Sequence, residues 1–407
     1  MAGPVVVPYG VGLLWNRDWT LVARNQTFRV VVGGGGTGGH TYPAVTAVQA
    51  LRSRLIESGC DLEVLWIGTR DSLESREAAS EGIPFVAMAT GKIRRHRNPF
   101  KMLSVKNLRD MLRVPVGVVQ ARRHIRRFRP DVVLATGGYV AVPVGVAARW
   151  VRRPLVVHEQ TVRLGLANRQ LARFATAFAV SSESTLDLVP DSVRRKATVT
   201  GNPVRGQVLS GDADRGAVAF GPGLDHGLPT VYVTGGAQGA TQVNELVRDS
   251  LPSLLERANV FHQCGAANVA EYERVAAELP PRLAARYRVA GYVGAELPDV
   301  LALADVVIAR SGAGTVAELT ALGKASVLVP LATAAGNEQV HNARHLETAG
   351  AAVALVGEAT AADLRDAVLP LLEDPEYRAE MAKRARGLGR PDAAQRLVDL
   401  ITAVADS

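Results

Sequence analysis

Two glycine-rich turns are the segments of this chain best suited to binding phosphate. The first, GGGGTGGH (33–40), follows a short strand that starts at Phe28 and precedes a helical pattern over 43–58. Glycine permits a positive φ and a close backbone approach, and the start of a helix offers free N–H groups to an anion. The second turn, GGAQGA (235–240), follows the strand TVYVTGG. Two such turns favour two phosphate-bearing substrates, although a tight turn without a ligand has the same pattern.

His40 stands at the mouth of the first turn, outside any apolar pattern, so we interpret it as a functional residue. Histidine is the side chain most often used as a general base. The same turn also fits a dinucleotide-binding site, which needs an acid at the end of the second strand. That strand ends in Gly68-Thr69-Arg70-Asp71, where the acid is poorly placed. An NAD-dependent dehydrogenase is therefore disfavoured.

The segment ARSGAGTVAEL (309–319) places a serine and glycine turn directly before a helix. Glu318 lies three residues after Thr315, which is the spacing of a capping box. In that reading Glu318 only bonds back to the helix start. Arg310 and the segment GNEQVHN (336–342) add more polar groups than a cap requires, which favours a ligand site.

The segment 92–129 is strongly basic and also apolar. Thirteen Lys and Arg residues against one acid give it a local net charge of +12, more than the +8 of the whole chain. Basic residues interleaved with apolar ones are typical of a segment that binds an anionic bilayer surface. Aromatic stacking residues, which single-stranded nucleic acids favour, are scarce there. We therefore predict a membrane-surface partner and no nucleic acid.

Alternating strand and helix patterns predict an α/β fold with parallel sheets. Because the pattern restarts at Thr230 with a second strand and glycine turn, we predict two doubly wound, Rossmann-like domains that face a cleft. The predicted divisions are an N-terminal extension (1–27), a first domain (28–205), a linker region (206–229), a second domain (230–389) and a C-terminal helix (390–407).

Composition limits the class of protein. A chain of 407 residues suggests more than one domain. No apolar run approaches the roughly 18–20 residues that span a bilayer. Cys60 and Cys264 form no metal-binding spacing and no disulfide framework, which favours a reducing cytosol.

Taken together, the motifs resemble those of the MurG family of glycosyltransferases over about residues 28–405. Their order and spacing carry the resemblance, and the matching segments are GGGTGGHxxPA (34–44), DVVLATGGYVAVP (131–143), VVHEQ (156–160), GLANR (165–169), GNPVR (201–205), TGGAQGAxxVN (234–244), ADVVIARSGAGTVAEL (304–319) and NEQxxNA (337–343).

The resemblance implies a GT-B fold and an inverting transfer of N-acetylglucosamine (GlcNAc) from UDP-GlcNAc to a lipid-linked muramyl-pentapeptide. It implies no cofactor, no bound metal and a peripheral position on the cytoplasmic face of the cell membrane. His40 would contact the acceptor together with Tyr139. From its residue type and position we predict that His40 is the catalytic base, with orientation of the acceptor pyrophosphate as the alternative role. The donor-binding residues that the resemblance implies are Thr37, Gly38, Gly39, Thr161, Arg205, Ala237, Gln238, Val293, Ala313, Gly314, Thr315, Val316, Ala317, Glu318, Glu338 and Gln339.

Within that set, Arg205 and the second turn would lie near the donor phosphates, and the backbone of Tyr292 and Val293 would hold uracil. Glu318 would bind the ribose hydroxyls, and Glu338 and Gln339 those of GlcNAc.

Two positions depart from the family pattern. Thr161 replaces an expected Asn, and Ala237 replaces an expected Ser, whose hydroxyl would be worth on the order of 1 kcal/mol to donor binding. Four alternatives therefore remain: a GT-B transferase with another lipid or secondary-metabolite acceptor, a UDP-GlcNAc 2-epimerase, and a weakly catalytic UDP-GlcNAc-binding paralogue, beside the disfavoured dehydrogenase.

Overall fold

The computed structural model describes residues 27–91 and 105–407. The predicted extension 1–27, apart from Thr27, and the first part of the basic segment lie outside these residues.

The first domain is built on a seven-stranded sheet. Its strands are β1 Thr27–Gly34, β2 Asp61–Gly68, β3 Phe85–Ala87, β4 Val132–Gly137, β5 Leu155–Glu159, β6 Ala177–Val180 and β7 Ala197–Val199. All pair in parallel, in the order β3-β2-β1-β4-β5-β6-β7. The helices are α1 Gly38–Glu57, α2 Leu73–Ser80, α3 Val105–Phe128, α4 Gly138–Trp150, α5 Leu166–Leu171 and α6 Asp191–Arg194. Two apolar cores cover the two faces of this sheet.

The second domain repeats this plan on six parallel strands. They are β8 Thr230–Thr234, β9 Asn259–Gln263, β10 Tyr287–Ala290, β11 Val306–Ala309, β12 Ala325–Leu328 and β13 Val353–Ala354. Their order is β10-β9-β8-β11-β12-β13. The helices are α7 Ala213–Phe220, α8 Thr241–Leu255, α9 Val269–Glu278, α10 Pro281–Ala284, α11 Leu297–Leu303, α12 Ala313–Leu322, α13 Glu338–Thr348, α14 Ala361–Glu373, α15 Pro375–Leu388 and α16 Ala393–Ala405. The predicted fold class, two Rossmann-like α/β domains, is confirmed.

Strand order reverses at one place in each sheet. In the first sheet β1 lies between β2 and β4, and in the second β8 lies between β9 and β11. Ligands of open α/β sheets bind at the carboxyl ends of the strands at such a switch point. The two glycine-rich turns follow β1 and β8, so the topology places both at these crevices.

The sequence missed β3, β7 and β13. Each has only two or three residues and lies toward the edge of its sheet, so it is too short to produce an apolar period. The first helix was predicted from 43 but begins at Gly38. Glycine has a low helix propensity, so the sequence pattern did not indicate that the helix begins at Gly38.

Two segments connect the domains differently from the sequence prediction. The predicted linker region 206–229 contains α7, which packs on α11. Arg215 of α7 donates two hydrogen bonds to the carboxylate of Asp299 in α11, at 2.8 and 3.0 Å. The final helix, α16, returns to the first domain, where its apolar residues join the core beside α1. The chain therefore crosses between the domains twice.

Candidate functional site

The first turn is fixed from below by a buried carboxylate. Glu74 of α2 is fully buried, and its two oxygens accept the N–H groups of Gly36 at 3.1 Å and Thr69 at 3.2 Å. Gly36 has φ +85°, and a Cβ added there would lie 2.7 Å from the ring of Tyr139. Glycine is therefore required at this position, and the turn brings Tyr139 to the site.

The start of α1 supplies the open amides of this turn. Thr37 is the N-cap residue, its backbone is extended, and its side chain makes no cap hydrogen bond. Gly38 and Gly39 form the beginning of the helix, whose first N–H groups have no intrahelical acceptors. The predicted residues Thr37, Gly38 and Gly39 thus lie together where a helix start attracts an anion.

His40 is oriented by the end of β4 and by the loop after β5. Its Nδ1 lies 3.0 Å from the carbonyl oxygen of Thr136 and 3.0 Å from Oε1 of Gln160. The Thr136 hydroxyl donates to the backbone oxygen of His40 at 2.8 Å. A Cβ at Gly137 would lie 2.9 Å from Nδ1, so the ring fits against bare backbone.

Thr161 belongs to a loop organised by a second buried carboxylate. Its hydroxyl lies 2.9 Å from Oε1 of Glu159 and 2.6 Å from the backbone oxygen of Arg163. Glu159 also accepts the N–H of Gly165 and the side-chain amide of Asn168. The single hydroxyl proton of Thr161 is already engaged, so this side chain supports the loop.

The second turn is held by an uncharged side chain, the amide of Gln263. Gln263 is buried and donates to the backbone oxygen of Gly236 at 2.9 Å and to the Thr234 hydroxyl at 3.1 Å. Ala237 and Gln238 are exposed at its tip. The N-cap of α8 has no side-chain hydrogen bond, so the following amides are open as well.

Gly239 closes this turn in a conformation that admits only glycine. Its φ is +74°, and a Cβ there would lie 1.9 Å from the backbone oxygen of Cys264.

Val293 is buried, and its N–H donates to Oε1 of Gln263 at 2.9 Å. The implied contact of this backbone with uracil is therefore limited to the carbonyl of Val293, because its N–H is occupied. Tyr292 beside it is exposed.

The capping-box reading of Thr315 and Glu318 is wrong. Gly312 is the N-cap of α12, so Thr315 lies inside the first turn and neither residue forms a side-chain cap. Glu318 instead pairs with Arg205, whose Nη2 lies 3.4 Å from Oε1. Burial raises the pKa of Glu318, and the Arg205 guanidinium opposes that rise. The carboxyl of Glu318, which is buried beside Arg205 and makes no helix cap, is available to bind a ligand.

The segment 313–317 forms the start of α12, where the N–H of Val316 already donates to the Gly312 oxygen, so that only the amides of 313–315 lack an intrahelical acceptor. A cavity of about 620 Å³ lies there, lined among others by Gly239, Thr315 and Gln339. Gln339 is held in place because its Oε1 accepts the N–H of Leu331 at 2.9 Å.

Glu338 is the first residue of α13. Burial raises the pKa of its carboxyl, while His40 of the first domain lowers that pKa and Glu159 raises it further. Charged groups of the first domain therefore influence the carboxyl of Glu338.

Sequence reasoning assigned no role to several residues that build this site. Glu74, Gln160 and Gln263 are buried braces whose partners are distant in sequence, and no spacing signal identifies them. Arg310 was noted beside its turn. It lines the 620 Å³ cavity and donates to Oε1 of Gln242 at 2.8 Å and to the Val329 oxygen at 2.9 Å. Burial lowers its pKa.

The described part of the basic segment is α3. Leu112, Val116 and Val119 are exposed on it at helical spacing. Arg122 stacks on Trp150, with the guanidinium carbon 4.7 Å from the ring centre. The basic residues Lys92, Arg94, Arg95, Arg97 and Lys101 lie outside the described residues. Among the helices described, none is both long and apolar enough to cross a membrane.

Over residues 27–91 and 105–407, no group of three or more His, Cys, Asp or Glu side chains is arranged to hold a metal ion.

Comparison with known proteins identifies relatives across the whole described chain. Residues 30–180 match the glycosyltransferase family 28 N-terminal domain, and residues 230–397 match the family 28 C-terminal domain. Two relatives carry the name UDP-N-acetylglucosamine--N-acetylmuramyl-(pentapeptide) pyrophosphoryl-undecaprenol N-acetylglucosamine transferase. The one from Halothermothrix orenii is 35% identical over 92% of this chain and 98% of its own length. The one from Bacillus licheniformis is 37% identical, with the same coverage. The crystal structure of Acinetobacter baumannii MurG is 30% identical, with a TM-score of 0.70 over 92% of this chain and 99% of that one.

Proposed function

The chain belongs to glycosyltransferase family 28 and within it to the MurG family, and we propose that it transfers GlcNAc from UDP-GlcNAc to undecaprenyl-pyrophosphoryl-MurNAc-pentapeptide. In this proposal the product is the disaccharide-linked lipid used in peptidoglycan synthesis. The observation that carries it is the pair of helix starts with open amides at the two switch points, one of them next to His40, whose ring is held by Thr136 and Gln160.

The proposed reaction is a direct displacement at the anomeric carbon of GlcNAc. The acceptor hydroxyl oxygen forms the new bond to that carbon as its bond to the UDP oxygen breaks, which inverts the configuration. His40 takes the hydroxyl proton, and UDP leaves with the bonding electron pair. The negative charge that develops on UDP is stabilised by Arg205, by open amides of the second turn and by the start of α12.

Donor recognition is proposed for the second domain. The exposed tip at Ala237 and Gln238 and the amides of 313–315 suit the diphosphate, and the Val293 carbonyl suits the N–H of uracil. The Glu318 carboxylate suits the ribose hydroxyls, and Glu338 and Gln339 suit those of GlcNAc. Thr37, Gly38 and Gly39 with Tyr139 form the acceptor side of the cleft, close enough to the reacting sugar to contact both substrates.

A single assay separates this function from its rivals. The protein is incubated with labelled UDP-GlcNAc, with and without a lipid-linked muramyl-pentapeptide analogue. Transfer of label to the lipid supports the proposal. Conversion of UDP-GlcNAc without acceptor would indicate a 2-epimerase, binding without turnover would indicate a paralogue, and transfer only to other lipids would indicate a different acceptor.

Two substitutions test the assigned roles. His40→Ala is expected to lower kcat by roughly 100-fold or more, because general base catalysis contributes on that order. Glu318→Ala is expected mainly to raise the KM for UDP-GlcNAc. Near-normal kcat/KM in both variants would remove the site assignment.

We further propose that α3 and the basic segment 92–129 bind the anionic cytoplasmic surface of the cell membrane. The exposed apolar row Leu112, Val116 and Val119 lies on a helix that also carries arginines, and such a helix can lie in a bilayer interface. Each basic residue near an anionic surface contributes about 1 kcal/mol. In this proposal, binding of α3 to the membrane brings the active cleft to the acceptor in that membrane.

Flotation with liposomes tests the membrane proposal. The wild type should float with anionic vesicles, and the double change Leu112→Glu with Val116→Glu should weaken flotation. Val218→Glu is the matched control, because Val218 is an exposed apolar residue on α7 of the second domain. Equal flotation of the wild type with neutral vesicles, or none at all, would contradict the proposal.

A further inference from the structure

A chain of hydrogen bonds runs from the active histidine into the buried first domain. Nδ1 of His40 lies within 3.0 Å of two carbonyl oxygens, that of Thr136 and Oε1 of Gln160. Carbonyl oxygens only accept hydrogen bonds, so Nδ1 must carry the ring proton. The neutral ring then has its lone pair on Nε2.

The orientation of the Gln160 amide is fixed independently of His40. Its nitrogen lies 2.9 Å from the backbone oxygen of His158, which requires a donor. The same nitrogen lies 3.1 Å from Nδ1 of His158. The amide oxygen of Gln160 must therefore be the atom that faces His40, and an exchanged amide would lose these contacts.

His158 continues the chain in a matching tautomer. Its Nε2 lies 3.0 Å from the backbone oxygen of Gly201, so Nε2 carries the proton and Nδ1 accepts from Gln160. The ring is fully buried, and burial lowers its pKa to about 4, so it stays neutral. The next residue, Asn202, donates to the backbone oxygen of Ala313 at the start of α12. The chain thus ends at Gly201, next to a residue that contacts the second domain.

We propose that Gln160 and His158 are positioning residues that hold His40 with its proton on Nδ1, so that Nε2 is free to accept the proton of the acceptor hydroxyl. This rests on the proposed function of His40 as base. In His40, as in other catalytic histidines, the hydrogen bond made by one ring nitrogen determines whether the other nitrogen carries a proton. Both side chains are buried, and each acts on the acceptor only through His40 in this proposal.

Other groups near His40 must be controlled in any pH experiment. The charges of Glu338 in α13 and of His40 act on each other between the domains, and Glu159 acts on Glu338 from the first domain. His158 is affected by the charge of His40 from within the first domain. Tyr139 lies beside the same turn. Measurements in a Glu338→Gln background remove the carboxylate of the second domain from this set.

The tautomer can be read directly in the free protein by nitrogen-detected NMR of the histidine rings. Wild-type His40 should show a protonated Nδ1 and an unprotonated Nε2. Gln160→Leu should give a mixture of tautomers, and the exposed Gln170→Leu in the same domain should change nothing. An unchanged His40 tautomer in a folded Gln160→Leu protein would overturn the proposal.

His158 provides a second pair of variants if Gln160 tolerates no change. Asn at position 158 can keep an acceptor near the place of Nδ1, whereas Leu cannot. His158→Asn should therefore preserve the His40 tautomer, and His158→Leu should lose it. Equal spectra for the two variants would contradict positioning through Gln160.

Turnover gives the third readout. Gln160→Leu should lower kcat by roughly 10- to 100-fold with KM for UDP-GlcNAc nearly unchanged, as expected for a weakened general base. Gln160→Glu keeps an acceptor for Nδ1 but adds a negative charge that stabilises the protonated ring. The acid limb of its pH profile of kcat/KM should therefore move to higher pH by about one unit or more.

The two proposals fail in different ways. A protein with the expected tautomers but no transfer to any acceptor would remove the transferase function and leave the positioning chain intact. An active protein in which Gln160→Leu changes kcat and KM alike, with unchanged tautomer and pH profile, would show that Gln160 is merely structural.

Discussion

The two glycine-rich turns occupy equivalent places in their sheets, yet they are supported by groups of different charge. Under the first turn lies the Glu74 carboxylate, fully buried and bonded to the N–H of Gly36. Under the second lies the neutral amide of Gln263, bonded to the backbone oxygen of Gly236. One turn therefore contains its own anion, and the other does not.

This difference bears on which turn can receive a diphosphate. A buried negative charge repels phosphate more strongly than the same charge would in water. At the first turn, a bound phosphate must rely on the start of α1 beyond Gly36. At the second turn, the open amides face the cavity that Arg310 lines, with no buried carboxylate bonded to the turn. The comparison favours the donor diphosphate at the second turn and the acceptor at the first.

The largest effect should come from Gly239→Ala. The new Cβ meets the fixed Cys264 oxygen at 1.9 Å in a backbone with φ +74°, so the second turn must deform. We expect UDP affinity, measured by calorimetry, to fall by roughly 100-fold or more, which corresponds to about 2.7 kcal/mol. Gly206→Ala is the control, because nothing lies within 4 Å of its Cβ. Gly36→Ala should spare UDP affinity, and an equal loss there would break the comparison.

Gln263→Glu makes the second turn resemble the first. The introduced carboxylate would be buried, would face the Gly236 oxygen and would repel the donor phosphates. UDP affinity should fall by roughly 10- to 100-fold at neutral pH. The loss should shrink as the pH falls, because protonation neutralises the introduced group. A loss independent of pH would indicate a steric cause instead.

Glu74→Gln is the reverse change at the first turn. One of the two backbone N–H groups would then face an amide N–H in place of an oxygen. The free energy of unfolding, measured with urea, should fall by about 1–3 kcal/mol, the cost of a buried unsatisfied donor. UDP affinity should remain unchanged. A large loss of UDP binding would place donor phosphate at the first turn.

A smaller effect concerns pH and the second domain. Burial raises the pKa of Glu318, so its carboxyl gains a proton at higher pH than an exposed glutamate. In the proposed site the ionised form accepts the ribose hydroxyls, so UDP affinity should fall several-fold as the pH drops through this raised pKa. Glu318→Gln should bind weakly at all pH values and lack this dependence. A pH-independent wild type would exclude Glu318 from ribose binding.

Ala237→Ser should give the smallest effect. It supplies the hydroxyl that the family pattern has at the tip of the second turn. UDP affinity should rise about fivefold, the equivalent of about 1 kcal/mol for one hydrogen bond. Ala267→Ser, at an exposed position outside the turn, serves as control. Unchanged affinity would mean that the backbone amides alone bind the phosphate.

The sequence predicted the parts of the site that lie next to glycines. Gly36 and Gly239 need a positive φ, and such positions leave a readable pattern. The supports under them left none, since Glu74 is 38 residues from Gly36 and Gln263 is 27 from Gly236. Contacts at such separations depend on how the sheet folds, which local spacing cannot encode.

The capping-box interpretation has a local reason for its failure. Thr315 and Glu318 have the spacing of a capping box, but Gly312 ends the loop three residues earlier and takes the N-cap. Thr161, expected at the donor by resemblance, contacts Glu159 through its hydroxyl, and its contact with the donor stays a prediction.

The return of α16 to the first domain affects the order in which the two domains can fold during synthesis. Leu397, Val398 and Ile401 complete the apolar core beneath β1 and α1, yet they are synthesised after the whole of the second sheet. The second domain can therefore fold while the first still exposes an uncovered apolar face. The first domain can therefore complete this core only after the end of the chain has been synthesised.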